Sequence, residues 1–279
     1  MSSNFRIYFV ILHNMKRFTY KLYLLLFASS FLAMGMSCQS EVERKRITQE
    51  ERRAAFVEDS LSFKVGILPT ADCDFIRMAG EKTTDETAKN MFDSLGVTVH
   101  LKHYKALSEC RYALNHGMVE AAVVDSVLAK EIMEKDSTGL LLSVPTNLSW
   151  KLISAKKARV LRTSQLVDKI IAVDSHGMSH QLAEQAVDSL IRKQQQVFFV
   201  QVEDPKVRYD MLRVGNVDAA MLPEPFASKA LYEGHKLLKD YTQKSYGVIV
   251  FRKKALEDKR IAAQKDLFLK ALEMAKKKK

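Results

Sequence analysis

From residue 63 onward, short apolar runs alternate with longer segments in which apolar residues recur every third or fourth position. The short runs predict strands and the longer segments predict amphipathic helices. Strands are expected at 63–68, 97–104, 121–124 and 140–144, the last closed by Pro145. Between them, helices are expected at 74–95 with a break near Gly80, at 107–116 with Gly117 as its stop, and at 127–135. The pattern then restarts. Strands are expected at 150–154, 170–173, 197–202, 219–222, around 237–238 and at 246–251. Helices are expected at 179–195, at 205–214 with Pro205 in the first turn and Gly215 after the last, at 226–233, and from 255 onward. Strands alternating with helices predict an α/β fold of mainly parallel sheets covered on both faces.

One stretch occurs twice. Residues 114–125, Leu-Asn-His-Gly-Met-Val-Glu-Ala-Ala-Val-Val-Asp, echo residues 212–223, Leu-Arg-Val-Gly-Asn-Val-Asp-Ala-Ala-Met-Leu-Pro. Each copy is a helix end, a glycine turn, an acid and a short Ala-rich strand. The repeat predicts two similarly built lobes, each offering strand ends to a shared cleft.

The segment ahead of residue 63 has a different character. It has no acid before Glu41, a basic cluster at Lys16, Arg17 and Lys21, an apolar run over 22–36, and then Gly35-Met36-Ser37-Cys38. Basic, apolar and small, in that order, predicts a secretory signal. The apolar run is about 15 residues, short of the ~20 that a membrane-spanning helix needs. Residues 35–38 resemble a bacterial lipobox, with Gly35 where leucine is usual, which implies cleavage and acylation at Cys38. The polar segment 38–62 that follows reads as a charged, helical tether. Removing residues 1–37 takes away Arg6, Lys16, Arg17 and Lys21 and no acid, so the net charge falls from +11 to +7. The terminal run Lys276–Lys279 suits an anionic membrane surface. There is no basic stripe interleaved with aromatics, so no nucleic acid is expected as a partner. Cys73 and Cys110 fall in different elements, and no bridge between them is expected.

The stretch 212–230, with Gly215-Asn-Val-Asp-Ala and then Glu224-Pro225, resembles the periplasmic solute-binding proteins for nitrate, sulfonates, taurine and thiamine precursors. Val65-Gly-Ile-Leu-Pro69 resembles the family's first strand, residues 117–125 its first-lobe turn, and Ile171-Ala-Val-Asp-Ser-His-Gly-Met-Ser179 its second-lobe strand and loop. The resemblance implies a two-lobed type 2 periplasmic-binding-protein-like fold with the ligand cleft between the lobes. It places lobe 1 at 63–145 and 245–279 and lobe 2 at 146–244. It also implies a substrate-binding protein of an ABC importer, a monomer that works with a permease and an ATPase and carries no cofactor. An enzyme of the family's thiamine-pyrimidine synthase branch is the alternative, along with a metal-binding or structural lipoprotein. The cysteine-rich run of that branch is missing here, so an enzyme is not expected.

In open α/β sheets, ligands sit beyond the carboxyl ends of the strands. That rule nominates Thr70, Asp72 and Cys73 after the first strand, and Asp125 and Ser126 after the third. It nominates Asn147 and Trp150 near the lobe crossing, Ser175, His176, Gly177, Met178 and Ser179 at a helix start, and Glu224 after the second Ala-rich strand. Asp72, Asp125 and Glu224 are expected to converge on one cleft, with Trp150 as a platform for a planar ligand. So many acids favour a cationic or neutral heteroaromatic ligand over an anion, although helix N-termini in the same loops favour anions. His176, His180 and Glu184 have helical spacing, but Gly177 interrupts it, and no metal is expected.

Overall fold

Ten strands among the described residues form two five-stranded sheets of the same order. The computed structural model describes residues 46–53, 61–81, 90–135, 144–175 and 177–277. The chain divides into two units, Met1–Leu61 and Ser62–Lys279. In the first, residues 46–53 are helical. Cys38 and the expected signal lie outside the described residues, as do His176 and residues 140–143. Everything below concerns the second unit.

The first sheet contains β1 (Phe63–Ile67), β2 (Val99–His103), β3 (Ala121–Asp125), β4 (Val144–Thr146) and β10 (Gly247–Phe251), in the order β2-β1-β3-β10-β4. The second contains β5 (Trp150–Ser154), β6 (Ile170–Val173), β7 (Phe198–Gln201), β8 (Ala219–Pro223) and β9 (Lys236–Asp240), in the order β7-β6-β8-β5-β9. The helices around the first sheet are α1 (Asp74–Gly80), α2 (Met91–Ser94), α3 (Leu107–Asn115), α4 (Ser126–Lys135), α8 (Lys253–Leu256) and α9 (Lys259–Lys277). Those around the second are α5 (Met178–Ile191), α6 (Pro205–Val214) and α7 (Phe226–Tyr232). The fold is α/β with two lobes, as the pattern predicts.

The sheets are mainly parallel, as the alternation predicts, but not wholly so. In each sheet four strands run one way and one is reversed: β10 is antiparallel to β3 and β4, and β5 to β8 and β9. Both reversed strands enter their lobe straight from the connection between lobes. Without a helical crossover to carry the chain back, such a strand can only run antiparallel. Pro145 does not close its strand either. It lies inside β4, opposite Val248, on a sheet edge where a missing donor is tolerated. Thr146 therefore belongs to the first sheet, one residue past the boundary expected.

Burial follows from position in the sheet. Every residue of the central strands β3 and β8 is buried. In β8, Ala219 and Met221 pack on one face and Ala220 and Leu222 on the other, the period-2 alternation of a strand covered on both sides. Helix α9 lays Phe268, Ala271, Leu272 and Ala275 against the first lobe, spaced as one helical stripe. The Phe268 ring lies 5.4 Å from that of Phe63 and stacks 5.5 Å from Phe92. Fully burying one such side chain is worth about 1.5–3 kcal/mol.

The sequence repeat is a structural repeat. Gly117 and Gly215 hold φ of 69° and 84°, left-handed values that suit glycine at a helix stop. The next residue bonds back in each case, Met118 N–H to Ala113 O and Asn216 N–H to Met211 O, both at 2.9 Å. The acid then reaches the start of the neighbouring parallel strand, β1 or β6. Glu120 accepts from Lys64 N–H at 2.7 Å, and Asp218 accepts from Ile170 N–H at 2.9 Å.

The chain crosses between sheets at 147–149 and returns at 241–246. The two segments bond to each other, Tyr246 N–H to Leu148 O at 2.9 Å and the Ser245 hydroxyl to Thr146 O.

Candidate functional site

The β1–α1 loop meets the second lobe through its backbone: Ala71 N–H donates to Glu224 O at 2.8 Å. Beside it, Thr70 is buried and Asp72 accepts from Thr146 Oγ1 at 2.8 Å, which ties the loop to the end of β4, just ahead of the first crossing segment. Burial pushes the Asp72 carboxyl up, against hydrogen bonds from Thr70 and Thr146. Its Oδ1 is buried without a hydrogen-bond partner. The Glu224 carboxylate turns away from the β1 loop. It accepts from Lys151 Nζ at 2.5 Å and caps α7 through Ser228 N–H at 2.9 Å. Burial opposes ionisation of Glu224, but the bonds from Lys151 and Ser228 outweigh it and hold the carboxyl below its ordinary value.

Asp125 joins the lobes more directly. Its Oδ1 caps α4 by accepting from Leu128 N–H at 2.8 Å. Its Oδ2 accepts from Met178 N–H at 2.7 Å, across the cleft at the start of α5. That helix end attracts negative charge, and here it receives a carboxylate from the opposite lobe. Asp174, at the end of β6, accepts from Gly177 N–H through Oδ1 at 2.7 Å. A Cβ added at Gly177 would stand 2.6 Å from both Asp125 Oδ2 and Asp174 Oδ2. Two carboxylate oxygens, one from each lobe, therefore lie within about 5 Å of each other.

Burial, and then the charge of Asp174, push the Asp125 carboxyl from the ordinary 3.8 to about 6, against the N–H groups of Leu128 and Met178. A raised folded-state pKa favours the native state while the group is protonated. The contribution is full below about 3.8 and is lost as pH rises through about 6. About two units correspond to roughly 3 kcal/mol. The stability of the wild-type protein relative to Asp125→Asn is expected to rise by about that much from pH 7 to pH 4. Urea unfolding of both proteins across that range checks it, and a pH-independent difference would count against the shifted carboxyl.

Cys73 and Trp150 present no open surface to a ligand. Cys73 lies in the first lobe's core, fully buried, with its thiol pushed up to about 12 by burial. It is a neutral core side chain there, and Cys110 is likewise buried and unbridged. Trp150 offers no open platform: the Arg208 guanidinium lies 5.3 Å over its ring, and the side chain is 3% exposed. Asn147 is exposed on the crossing segment, and Ser126 donates its N–H to Tyr246 O at 2.8 Å. Ser175 donates its N–H at 2.9 Å and its hydroxyl to Glu203 Oε1, and Ser179 is fully buried.

Sequence reasoning overlooked Arg208. It is 1% exposed, donates from Nη1 to Ser179 Oγ at 2.8 Å, and lies 3.8 Å from Asp174 Oδ2. The same Ser179 oxygen accepts from Asp174 N–H at 2.9 Å. Burial lowers the Arg208 pKa while Asp174 and Glu203 raise it. The signal was present: Pro205, Arg208 and Leu212 form one buried helical stripe.

Two spaces open between the lobes. A groove of about 850 Å³ runs between Pro69, Thr70, Tyr104 and Lys105 on one side and Asp204, Val207, Pro225 and Phe226 on the other. That is the size of a small-molecule site. A recess of about 40 Å³ is lined by Leu107, Ser108, Arg111 and Leu128 opposite Asp174, Ser175, Gly177 and Glu203. Among the described residues no group of three or more His, Cys, Asp or Glu side chains could hold a metal ion. His180 instead pairs with Glu184 at 3.4 Å and stacks on Phe199.

No family model matches the chain, and no curated protein matches its sequence. Solved structures do match. The alkanesulfonate-binding protein SsuA from Xanthomonas axonopodis pv. citri, bound to MOPS, has TM-score 0.61 at 14% identity, over 77% of this chain and 72% of that one. The ligand-binding component of an ABC-type import system from Staphylococcus aureus, with zinc bound, has TM-score 0.60 at 16% identity, over 77% and 73%. A Candida albicans gene product described as having the generic periplasmic binding protein fold has TM-score 0.58 at 16% identity, over 77% and 70%. The fold is that of the periplasmic binding proteins. In a binding-protein fold the groove and recess occupy the interlobe position that the strand-end rule assigns to ligand. No helix among the described residues is long and apolar enough to cross a membrane.

Proposed function

We propose that the protein is a lipid-anchored receptor of an ABC importer, which captures a small solute between its lobes outside the inner membrane and delivers it to a permease and ATPase. The observation that carries this reading is the pair of like-ordered sheets whose strand ends face each other across the groove and recess. Two crossing segments link them, and such a pair makes a hinge that can close without unfolding either lobe. Closure is driven only by contacts made in the closed form and absent from the open one. The chemistry supports binding over turnover: Cys73 is a thiol kept neutral by burial and by the charge of the adjacent Asp72. The basic and apolar segment before Cys38 supports the anchor, and the similarity to import-system components supports the partners.

Purification from the envelope of its source, followed by native mass spectrometry, tests the reading. The expected result is a small molecule bound unchanged, an acyl mass on Cys38, and a smaller radius in small-angle scattering once the stripped protein is reloaded. No bound solute and equal radii in both states would remove the receptor; a bare Cys38 would remove the anchor alone.

A further inference from the structure

The recess holds a chemistry that the receptor reading leaves unassigned. Asp174 lines it with a side chain 2% exposed. Its Oδ1 is occupied by Gly177 N–H, but its Oδ2 is buried and accepts no hydrogen bond. The closest cation, Arg208 Nη1, is 3.8 Å away, outside hydrogen-bond range, and its donation goes to Ser179. A buried carboxylate oxygen with no donor is costly, and in native proteins such an atom calls for a missing partner. Asp125 Oδ2 approaches the same point from the other lobe, and Glu203 lines the recess beside it. The cation on the lining, Arg111, is bonded to Glu131 at 3.1 Å. Two acids that meet when the lobes close repel each other; Arg208 offsets part of the charge of both, but its hydrogen bond goes to Ser179.

We propose that the recess seats the ammonium group of a small organic amine, held between Asp174 of the second lobe and Asp125 of the first, with the remainder of the ligand in the adjoining groove. The groove and the recess draw on neighbouring stretches of chain: Lys105 lines one and Leu107 the other, and Asp204 lines one and Glu203 the other. Tyr104 and Phe226 give the groove an aromatic wall on each lobe for an apolar body. The amine supplies Asp174 Oδ2 with its absent donor and places a cation between the two acids. It is therefore also the contact that favours the closed form. This assignment rests on the receptor reading and adds the ligand's charge.

The test uses the full chain and three probes of one shape: phenethylammonium, 2-phenylethanol and phenylacetate, each titrated by thermal shift and calorimetry at pH 7.5. Saturable binding is expected for phenethylammonium alone. Asp174→Asn keeps the oxygen that accepts from Gly177 and removes the charge. It is expected to weaken phenethylammonium by about ten- to a hundredfold, the range of one charge-assisted hydrogen bond. Because the three wild-type titrations need no variant, misfolding of Asp174→Asn leaves them intact. Binding of phenylacetate in place of the amine, with compaction in scattering, would overturn the charge assignment and leave the receptor standing. Equal binding of the amine and the alcohol, or no saturable binding of the amine, also overturns it. The receptor itself falls only on the separate finding that neither bound solute nor compaction occurs.

Discussion

Replacing Arg208 with alanine is expected to lower the unfolding free energy by about 3–5 kcal/mol, the range for breaking a buried ion pair from one side. Arg208 is 1% exposed, and its guanidinium is shared among Ser179, the Trp150 ring and the charge of Asp174. Truncation leaves Asp174, itself 2% exposed, as a buried charge with no counter-ion. It also opens a cavity the size of the side chain under Trp150. Two partial repairs separate these effects. Arg208→Met refills the volume and leaves the charge problem. Arg208→Met with Asp174→Asn removes both and is expected to recover most of the loss, because an apolar replacement of a whole buried pair is often neutral. Urea denaturation of the three proteins completes the comparison. A loss below about 1 kcal/mol for Arg208→Ala would mean that the pair is not held as described.

The second large effect is expected at Gly177, and it acts on closure. Gly177 has φ −106° and ψ −174°, a conformation that alanine adopts without strain. The added methyl, however, would lie 2.6 Å from Asp125 Oδ2 and Asp174 Oδ2 and 2.8 Å from Asp174 Cγ. Asp174 can rotate only by giving up the Gly177 N–H bond, and Asp125 can withdraw only by giving up the Met178 N–H bond that joins the lobes. The least costly response is separation of the lobes. Overpacking of this kind costs about 1–3 kcal/mol, so solute affinity is expected to fall by roughly ten- to a hundredfold. Scattering should show the variant at the radius of the empty protein at solute concentrations that compact the wild type. Urea stability should change little, because the clash is relieved by opening and not by unfolding. A Gly177→Ala protein that closes normally would show that these carboxylates do not meet in the closed form.

The strands and helices were legible because burial leaves a period in the sequence. The repeat around Gly117 and Gly215 was legible for a sharper reason. A left-handed helix stop followed by an acid and a small-residue strand admits few residue types at each position, so both copies kept their text. Strand direction left no such trace, since β5 and β10 alternate in the same way whichever way they run. The acids were legible as strand-end residues, but not their division of labour. Glu224 faces Lys151 and Ser228 while Asp125 faces Met178, and only the register of β5 against β8 and the packing of α4 near α5 set that difference. Trp150 was read as a platform because nothing in its neighbourhood announces Arg208, 58 positions later, over its ring. Arg208 looks like any other arginine on a helix until Pro205 and Leu212 are recognised as its buried neighbours.

The connection order of the two sheets also dictates an order of assembly. All five strands of the second sheet lie between Trp150 and Asp240, so that lobe can complete itself as soon as this one stretch of chain is available. The first sheet cannot. Its strand β10 lies between β3 and β4, and the helix that covers Phe63 and Phe92 does not begin until Lys259. Until the last thirty or so residues arrive, β3 keeps an open edge and the first core stays uncovered. The first lobe therefore waits for β10 and α9, while the second can already be complete, so α9 serves as the clasp on the first lobe's unfinished core.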